Sequence, residues 1–200
     1  MHDRVEELSR AFERFPGIGP RQARRFVYHL LALGQSDRSS IARLIEHIGE
    51  DVKQCDECRR FWTGAGAICN YCSDRSRNDR QLMLVEKDQD LLAIERANTY
   101  KGRYFVLGGV LTLSGKGAIR SRELVERVER RSNEGLDEII LALSATSEGE
   151  HTSDHIRELL QPLRTHITFY TLGRGLATGS ELEYADTETL SAAFANRKET

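Results

Sequence analysis

The sequence has 200 residues, of which 39% are hydrophobic and 30% charged, a mixture that excludes an intrinsically disordered chain. No run of about 18 apolar residues occurs, and the start, MHDRVEE, lacks the apolar core of a secretory signal, so we expect a cytoplasmic protein without a membrane span. The net charge of −2 gives no global attraction to nucleic acid, which means that any DNA-binding site has to come from local segregation of charge.

The first fifty residues predict three helices. Apolar residues recur at helical spacing over residues 4–14, which indicates an amphipathic helix. Pro20 suits the first position of a second helix, and Gly34 ends it. A third apolar stripe follows Ser39. We therefore expect a small helical domain at this end of the chain.

The turn between the first two helices has the features of a phosphate-binding hairpin. Residues 15–20 read FPGIGP, and the glycines allow amide groups to converge, while the helix start at Pro20 adds partial positive charge. Arg21 and Arg25 follow one helical turn apart, so they can neutralise neighbouring phosphates of DNA. The alternative is a plain turn between two helices with solvated arginines.

The strongest signal in the sequence is a set of four cysteines. Cys55 and Cys58 form one Cys-x2-Cys pair, and Cys69 and Cys72 form a second after ten residues. Two such pairs complete a tetrahedral site with no open position, which predicts one structural zinc ion in a segment, residues 53–80, that has few aliphatic residues. Two disulfides, a redox pair or an iron site are the alternatives.

The same segment carries charges and rings that could bind nucleic acid. Its aromatic residues could stack on bases, although packing in a small core explains them equally well. Its arginines strengthen the prediction of a nucleic-acid interface. The residues concerned are Arg59, Arg60, Arg75, Arg77 and Arg80, with Phe61, Trp62 and Tyr71.

From Gln81 onward, short strand patterns alternate with helical patterns, which predicts an α/β domain with a largely parallel sheet. The strands are expected at 82–85, 104–107, 138–143 and 167–171, and the helices at 89–97, 121–132 and 153–163. Gly115-Lys116-Gly117 is too short for a P-loop and is interpreted as a basic loop.

The order of these parts resembles the RecR family of bacterial recombination mediator proteins. The matching segments are PGIGPR at 16–21, the cysteine pairs, LVE at 84–86, GRYFVL at 102–107, EGE at 148–150 and GSELE at 179–183. The resemblance implies an α/β protein with a helix-hairpin-helix at 1–52, a four-cysteine zinc module at 53–80, a Toprim-like domain at 81–171 and a C-terminal assembly segment at 172–200.

The resemblance also implies a function. RecR proteins have no known enzymatic activity and act with RecO and RecF to load recombinase onto single-stranded DNA. Arg21 and Arg25 fall on the hairpin positions that the family uses for DNA, which implies single- and double-stranded DNA as ligands. Self-association into a dimer or a tetrameric ring is expected on the same ground.

Whether the Toprim-like domain is an enzyme depends on its acidic residues. A working site needs a glutamate after the first strand, which Glu86 supplies, and an Asp-x-Asp pair after a later strand. Ser144 and Thr146 stand at that later position, and neutral hydroxyls are poor ligands for Mg²⁺, so we expect a degenerate site. Glu86, Glu148 and Glu150 could still form a weak Mg²⁺ site.

Glu148 and Glu150 are interpreted as partner-binding residues in an acidic loop, with RecO as the expected partner. The alternative is that they complement the dipole at a helix start. Three functions therefore compete: a DNA-binding recombination mediator, a Mg²⁺-dependent nuclease or topoisomerase-like enzyme, and a zinc-module adaptor that binds protein without DNA.

Overall fold

The computed structural model of the chain describes residues 3–114, 117–163 and 166–197, so Gly115 and Lys116 of the expected basic loop lie outside the described residues. Its contacts divide the chain into two compact units, Met1–Lys53 and Gln54–Thr200. Within the described ranges, no helix combines the length and the apolar character that crossing a membrane would require. Within each unit, the helices and strands form from signals that lie close together in the sequence.

The first unit consists of three helices: α1 (Arg4–Glu13), α2 (Pro20–Ala32) and α3 (Gln35–Asp51). Asp3 caps α1, because its carboxylate accepts the N–H of Val5 at 2.9 Å. α3 begins before Ser39, where the apolar stripe alone placed it. The guanidinium of Arg38 donates to the carbonyl of Leu33 across the turn, so the new helix starts almost at once.

The second unit contains the remaining elements. Strand β1 (Val52–Gln54), in which the division between the units falls, and strand β2 (Phe61–Thr63) form a two-stranded sheet. The strands of the main sheet are β3 (Asn78–Val85), β4 (Gly102–Val106), β5 (Glu138–Ala142) and β6 (Thr168–Thr171). The helices are α4 (Asn70–Ser73), α5 (Asp88–Ala97), α6 (Ser121–Asn133), α7 (Ser147–Leu159) and α8 (Thr187–Ala195).

The main sheet is parallel throughout its described strands, in the order β4-β3-β5-β6. Val85 at the end of β3 is in register with Val106 of β4 and with Ala142 of β5. The carboxyl ends of these three strands therefore meet at one edge, where the chain continues into Glu86 and Ser144. The predicted α/β fold with a parallel sheet is confirmed.

Both faces of the sheet are covered, which explains the uninterrupted apolar run LMLV at residues 82–85. Leu82 and Leu84 pack on the face that α6 and α7 cover. Met83 and Val85 point to the opposite face, in the same apolar cluster as Leu91 of α5 and the cysteines. The four-cysteine segment is thus part of the packing of the sheet, in addition to the structural zinc ion that its sequence predicts.

One helix boundary differs in a way that matters for function. α7 begins at Ser147, although the apolar pattern begins only at residue 153. The side chain of Thr146 caps this helix by accepting the N–H of Gly149 at 3.2 Å. Glu148 and Glu150 therefore lie in the first helical turn, and the expectation of an acidic loop is wrong.

Candidate metal centre and nucleic-acid interface

The four cysteines come together at one point. Cys58 Sγ lies 3.6 Å from Cys69 Sγ, and the four sulfur atoms lie within 4.8 Å of one another. Cys55, Cys58 and Cys69 are fully buried, whereas Cys72 is partly exposed. In the described part of the chain, no other set of potential ligands forms a comparable group.

Local backbone geometry produces each half of this cluster. We call residues 55–58 the first knuckle and residues 69–72 the second. Arg59, in the left-handed conformation (φ 62°), donates its N–H to the carbonyl of Cys55 at 2.9 Å and closes the first turn. The N–H of Cys69 points at Cys55 Sγ from 3.3 Å, a contact that favours a thiolate.

This donor set fits a tetrahedral thiolate metal ion. Zn–S bonds of about 2.3 Å at tetrahedral angles place sulfur atoms about 3.8 Å apart, close to the 3.6 Å between Cys58 Sγ and Cys69 Sγ. Hydrogen bonding with Cys55 raises the pKa of Cys58 and of Cys72, and hydrogen bonding with Cys58 lowers the pKa of Cys55. Four neighbouring thiols therefore oppose full ionisation, and a divalent cation would remove that opposition.

The first knuckle is attached to the main sheet and to α6. The carbonyl of Cys58 accepts the N–H of Val106 in β4 at 2.8 Å. Glu57, between the two cysteines, forms an ion pair with buried Arg127 and accepts Arg130 Nη2 at 2.6 Å. Burial lowers the pKa of Arg127 to about 10, with Arg131 and Arg130 adding to the effect. Glu57 compensates this buried charge.

The second knuckle is attached through Arg103 of β4. Arg103 Nη1 donates to the carbonyl of Tyr71 at 2.8 Å and to that of Cys72 at 3.0 Å, and its Nε donates to Asp79 at 2.8 Å. The pKa of Asp79 is held below its usual range, first by this hydrogen bond from Arg103. Arg103 is itself buried, so its charge depends on these partners.

Two of the five arginines of the module, Arg60 and Arg77, are less available to nucleic acid than the sequence suggested. Arg77 is buried and pairs with Glu95 at 2.5 Å, so it stabilises the fold. The guanidinium carbons of Arg60 and Arg77 lie 4.6 and 5.0 Å from the ring centroid of Tyr71. This ring already has cation–π partners within the protein, which favours packing over base stacking.

Arg21 and Arg25 lie exposed in the first two turns of α2. Neither has a carboxylate partner among the described residues, whereas neighbouring Arg24 pairs with Glu6 at 3.1 Å. Gly17 takes the left-handed conformation (φ 80°) that the hairpin requires. The N-cap of α2 is Gly19, which offers no side-chain acceptor, so the first amides of the helix stay open to an anion.

The first unit also carries an apolar cavity of about 690 Å³ between its three helices. Phe15, Leu31 and Ile45, which line it, are 59%, 57% and 67% exposed. Leu44 and Ile48 on α3 extend this surface and are 70% and 66% exposed. We call this region the α3 apolar surface. Contiguous apolar exposure of this kind is typical of an interaction site.

At the carboxyl edge of the sheet, Glu86 is buried and its Oε1 accepts the N–H of Ser144 at 2.6 Å. Ser144 Oγ lies 3.0 Å from Thr146 Oγ1, so one of these hydroxyls donates a hydrogen bond to the other. Glu86, Ser144 and Thr146, the three positions predicted for a Toprim site, therefore lie close together. Among the described residues, Glu86, Glu148 and Glu150 do not form a group whose oxygens could hold one ion.

Glu148 is partly buried and Glu150 is exposed at the start of α7. Glu150 forms an ion pair with Arg174 at 2.6 Å. Gly149 between them allows a close approach to the preceding turn, because a Cβ there would lie 2.1 Å from the carbonyl oxygen of Ser144. The two acids share this first helical turn, in which their charge complements the helix dipole.

Reasoning from the sequence missed Arg103, Glu57 and Arg127 as supports of the cysteine cluster. The available signals were an arginine inside the apolar strand pattern GRYFVL and a carboxylate within a Cys-x2-Cys spacer. Neither signal identifies its partner, since the hydrogen bonds span 31 or more residues.

Comparisons with known proteins cover both units. Family models match a Toprim domain at residues 80–171, the RecR helix-hairpin-helix at 5–50 and the RecR C-terminal region at 175–198. The recombination protein RecR of Prochlorococcus marinus is 40% identical over 190 residues, which are 94% of this chain and 96% of the relative. That of Ruegeria sp. is 40% identical over 197 residues, 98% and 96% of the two chains. That of Cutibacterium acnes is 36% identical over 196 residues, 96% and 94% of the two chains. The chain therefore belongs to the RecR family of recombination proteins.

Proposed function

We propose that this RecR family member is a DNA-binding recombination mediator that acts with RecO and RecF to load recombinase onto single-stranded DNA. The observation that carries the proposal is the pair Arg21 and Arg25, exposed and without carboxylate partners among the described residues, beside open amides at the start of α2. Such a surface positions phosphates without reading bases, which suits binding to both single- and double-stranded DNA.

We propose that the cysteine cluster binds one zinc ion with a structural role. Its four sulfurs and their spacing support this metal, and a closed thiolate shell leaves no position for catalytic water. Free thiols at this distance also suit the reducing cytoplasm, where we place the protein.

We propose that the Toprim domain has no enzymatic activity. Ser144 and Thr146 offer hydroxyls where a metal-dependent site would need carboxylates, and Glu86 is already engaged by a backbone amide. A nuclease or topoisomerase-like activity therefore lacks the ligands for a hard dication.

We propose that Glu148 and Glu150 contact a basic surface of RecO. Both acids lie on the first turn of α7, and Glu150 already binds one arginine of this chain, Arg174. An arginine or lysine of a partner could replace or join that contact, and charge complementarity of this kind contributes specificity and association rate.

We propose that the protein works as a ring-shaped homo-oligomer, as a dimer or a tetramer. The α3 apolar surface supports self-association, since an exposed apolar area of this extent is costly in an isolated chain. Encirclement would also explain how a chain of net charge −2 holds a polyanion.

The proposal is tested by replacing both hairpin arginines with alanine and measuring DNA binding by fluorescence anisotropy over a range of salt concentrations. Arg21→Ala with Arg25→Ala should weaken binding and reduce the log–log salt slope by roughly 1.8 for double-stranded and 1.4 for single-stranded DNA per engaged protomer. Arg43→Ala, an exposed arginine on α3, is the control.

An unchanged salt slope in the double variant would remove the hairpin from the interface. Absence of DNA binding by the unsubstituted protein would favour the alternative function, a zinc-module adaptor that binds protein without DNA. Mg²⁺-dependent cleavage or relaxation of DNA that disappears in Glu86→Gln would favour the other alternative, a nuclease or topoisomerase-like enzyme.

A further inference from the structure

The two knuckles of the cysteine cluster are attached to the Toprim domain by different kinds of contact. The first is attached by a main-chain hydrogen bond and by the carboxylate of Glu57. The second is attached by hydrogen bonds from one side chain, that of Arg103, which reaches two carbonyls at once, and by packing of the Tyr71 ring beside Arg77. One of those carbonyls belongs to a cysteine ligand, Cys72, and the other to the residue before it.

Arg103 is built to hold a fixed position. Its side chain is only 9% exposed, with Nε bound to Asp79 and Nη1 bound to both carbonyls. Asp79 is itself oriented by Arg131, which donates to its carboxylate and, at 2.9 Å, to its carbonyl. The planar fork of arginine matches this arrangement, and lysine could not reproduce it.

We propose that Arg103 is a positioning residue for metal binding: it fixes the backbone of the second knuckle so that Cys69 and Cys72 meet Cys55 and Cys58 at metal-ligand spacing. This inference rests on the proposed zinc site. It adds that the affinity for metal depends on a residue of strand β4, outside both Cys-x2-Cys motifs. Residues that orient metal ligands typically change affinity roughly 10- to 100-fold when they are removed.

The physical reason is the cost of ordering the ligands. A metal ion that binds a mobile knuckle has to order its backbone, and the two hydrogen bonds that Arg103 makes to the ordered knuckle offset part of that cost. Cys72 is the ligand that gains most, since it is the cysteine of the cluster that is partly exposed and follows directly on Tyr71.

The test compares Arg103→Gln with the unsubstituted full-length chain. Arg80→Gln is the matched control, because Arg80 is also a strand arginine paired with an aspartate, Asp137, but is exposed and has no hydrogen bond to either knuckle among the described residues. Zinc affinity is measured by competition with a chromophoric chelator under reducing conditions. The Co²⁺-substituted proteins are compared by absorption spectroscopy, which reports the geometry of the sulfur ligands.

We expect zinc affinity to fall roughly 10- to 100-fold in Arg103→Gln, with a changed Co²⁺ spectrum, and to stay within about twofold in Arg80→Gln. Arg103→Lys should lie between them. If Arg103→Gln does not fold, Asp79→Asn provides the measurement, since it loosens the guanidinium without removing it, and it should weaken zinc binding several-fold.

Equal affinities and spectra in the Arg103 variants, Asp79→Asn and the control would overturn the role of Arg103 while leaving the zinc site intact. Absence of metal from the unsubstituted chain, purified reduced from metal-replete medium, would overturn the zinc proposal itself. The two failures are therefore distinguishable.

Discussion

Removal of the metal should loosen one side of strand β4 and leave the other side intact. β4 is an edge strand of the main sheet, and its two sides are bonded differently. The N–H of Val106 donates outward to the carbonyl of Cys58 at 2.8 Å, whereas the N–H of the next residue, Leu107, donates inward to the carbonyl of Val85 at 2.8 Å. The amide of Val106 therefore reports on the cysteine module, and the adjacent amide of Leu107 reports on the main sheet.

The expected size of the effect follows from the hydrogen bonds between the module and β4. Three of them, one from Val106 and two from Arg103, depend on the knuckles keeping their places. At about 1 kcal/mol each, their loss lowers the free energy of local opening by about 3 kcal/mol. Since about 1.4 kcal/mol corresponds to a factor of ten, exchange of the Val106 amide should accelerate roughly 100-fold.

The assay is amide hydrogen exchange followed by NMR, on the reduced full-length protein before and after chelation. Val106 should lose protection while Leu107 changes by less than about fivefold, because its hydrogen bond belongs to the sheet. Equal acceleration of both amides would show that the metal supports the whole sheet. Unchanged exchange at Val106 would show that the module stays in place without metal, and either result would refute this reasoning.

Three further predictions concern other parts of the chain. Gly149→Ala should destabilise the fold by about 1–3 kcal/mol in denaturant unfolding, since its Cβ would lie 2.1 Å from the carbonyl oxygen of Ser144, whereas Gly173→Ala, with no atom within 4 Å, should be neutral. Glu148→Lys should abolish co-purification with RecO without changing zinc content or DNA binding. The control Glu158→Lys, at the other end of α7, should keep RecO binding, zinc content and DNA binding. If Glu148→Lys still binds RecO, Glu148 only complements the dipole at the helix start. Leu44→Asp with Ile45→Asp should lower the mass measured by light scattering, whereas Leu113→Asp, also exposed, should not; an unchanged mass would exclude the α3 apolar surface from assembly.

Local patterns predicted most of the secondary structure because each element of this fold satisfies its own periodicity. The helix that begins at Pro20 and the strand at residues 82–85 follow from local signals, since a buried parallel strand and an amphipathic helix with its start and stop residues leave different patterns. The early starts of α3 and α7 were not identified. They depend on a hydrogen bond from Arg38 to a carbonyl and on a cap from Thr146, which override the apolar pattern.

The candidate sites, too, were predicted where their signal is local and missed where it is not. The spacing of Cys55, Cys58, Cys69 and Cys72 predicts one four-sulfur cluster, and the structure brings the sulfurs together. Arg21 and Arg25 are exposed, as a phosphate-binding hairpin requires, and their contact with DNA stays a prediction. Arg77 was expected at a nucleic-acid surface and instead is buried, because nothing in its local sequence reveals the pairing with Glu95.

The sequence by itself therefore determined the cysteine cluster, the hairpin, the parallel α/β domain and the family, because these features are encoded within short segments or in their order. Only the tertiary structure decided which charged side chains are free to bind a ligand and which are paired within the protein. Arg103 meets the carbonyls of Tyr71 and Cys72, and Glu57 meets Arg127, across separations that no periodicity spans. Burial makes such partners obligatory, since an unpaired charge in the interior is costly, but the chain has to fold before the choice of partner is made.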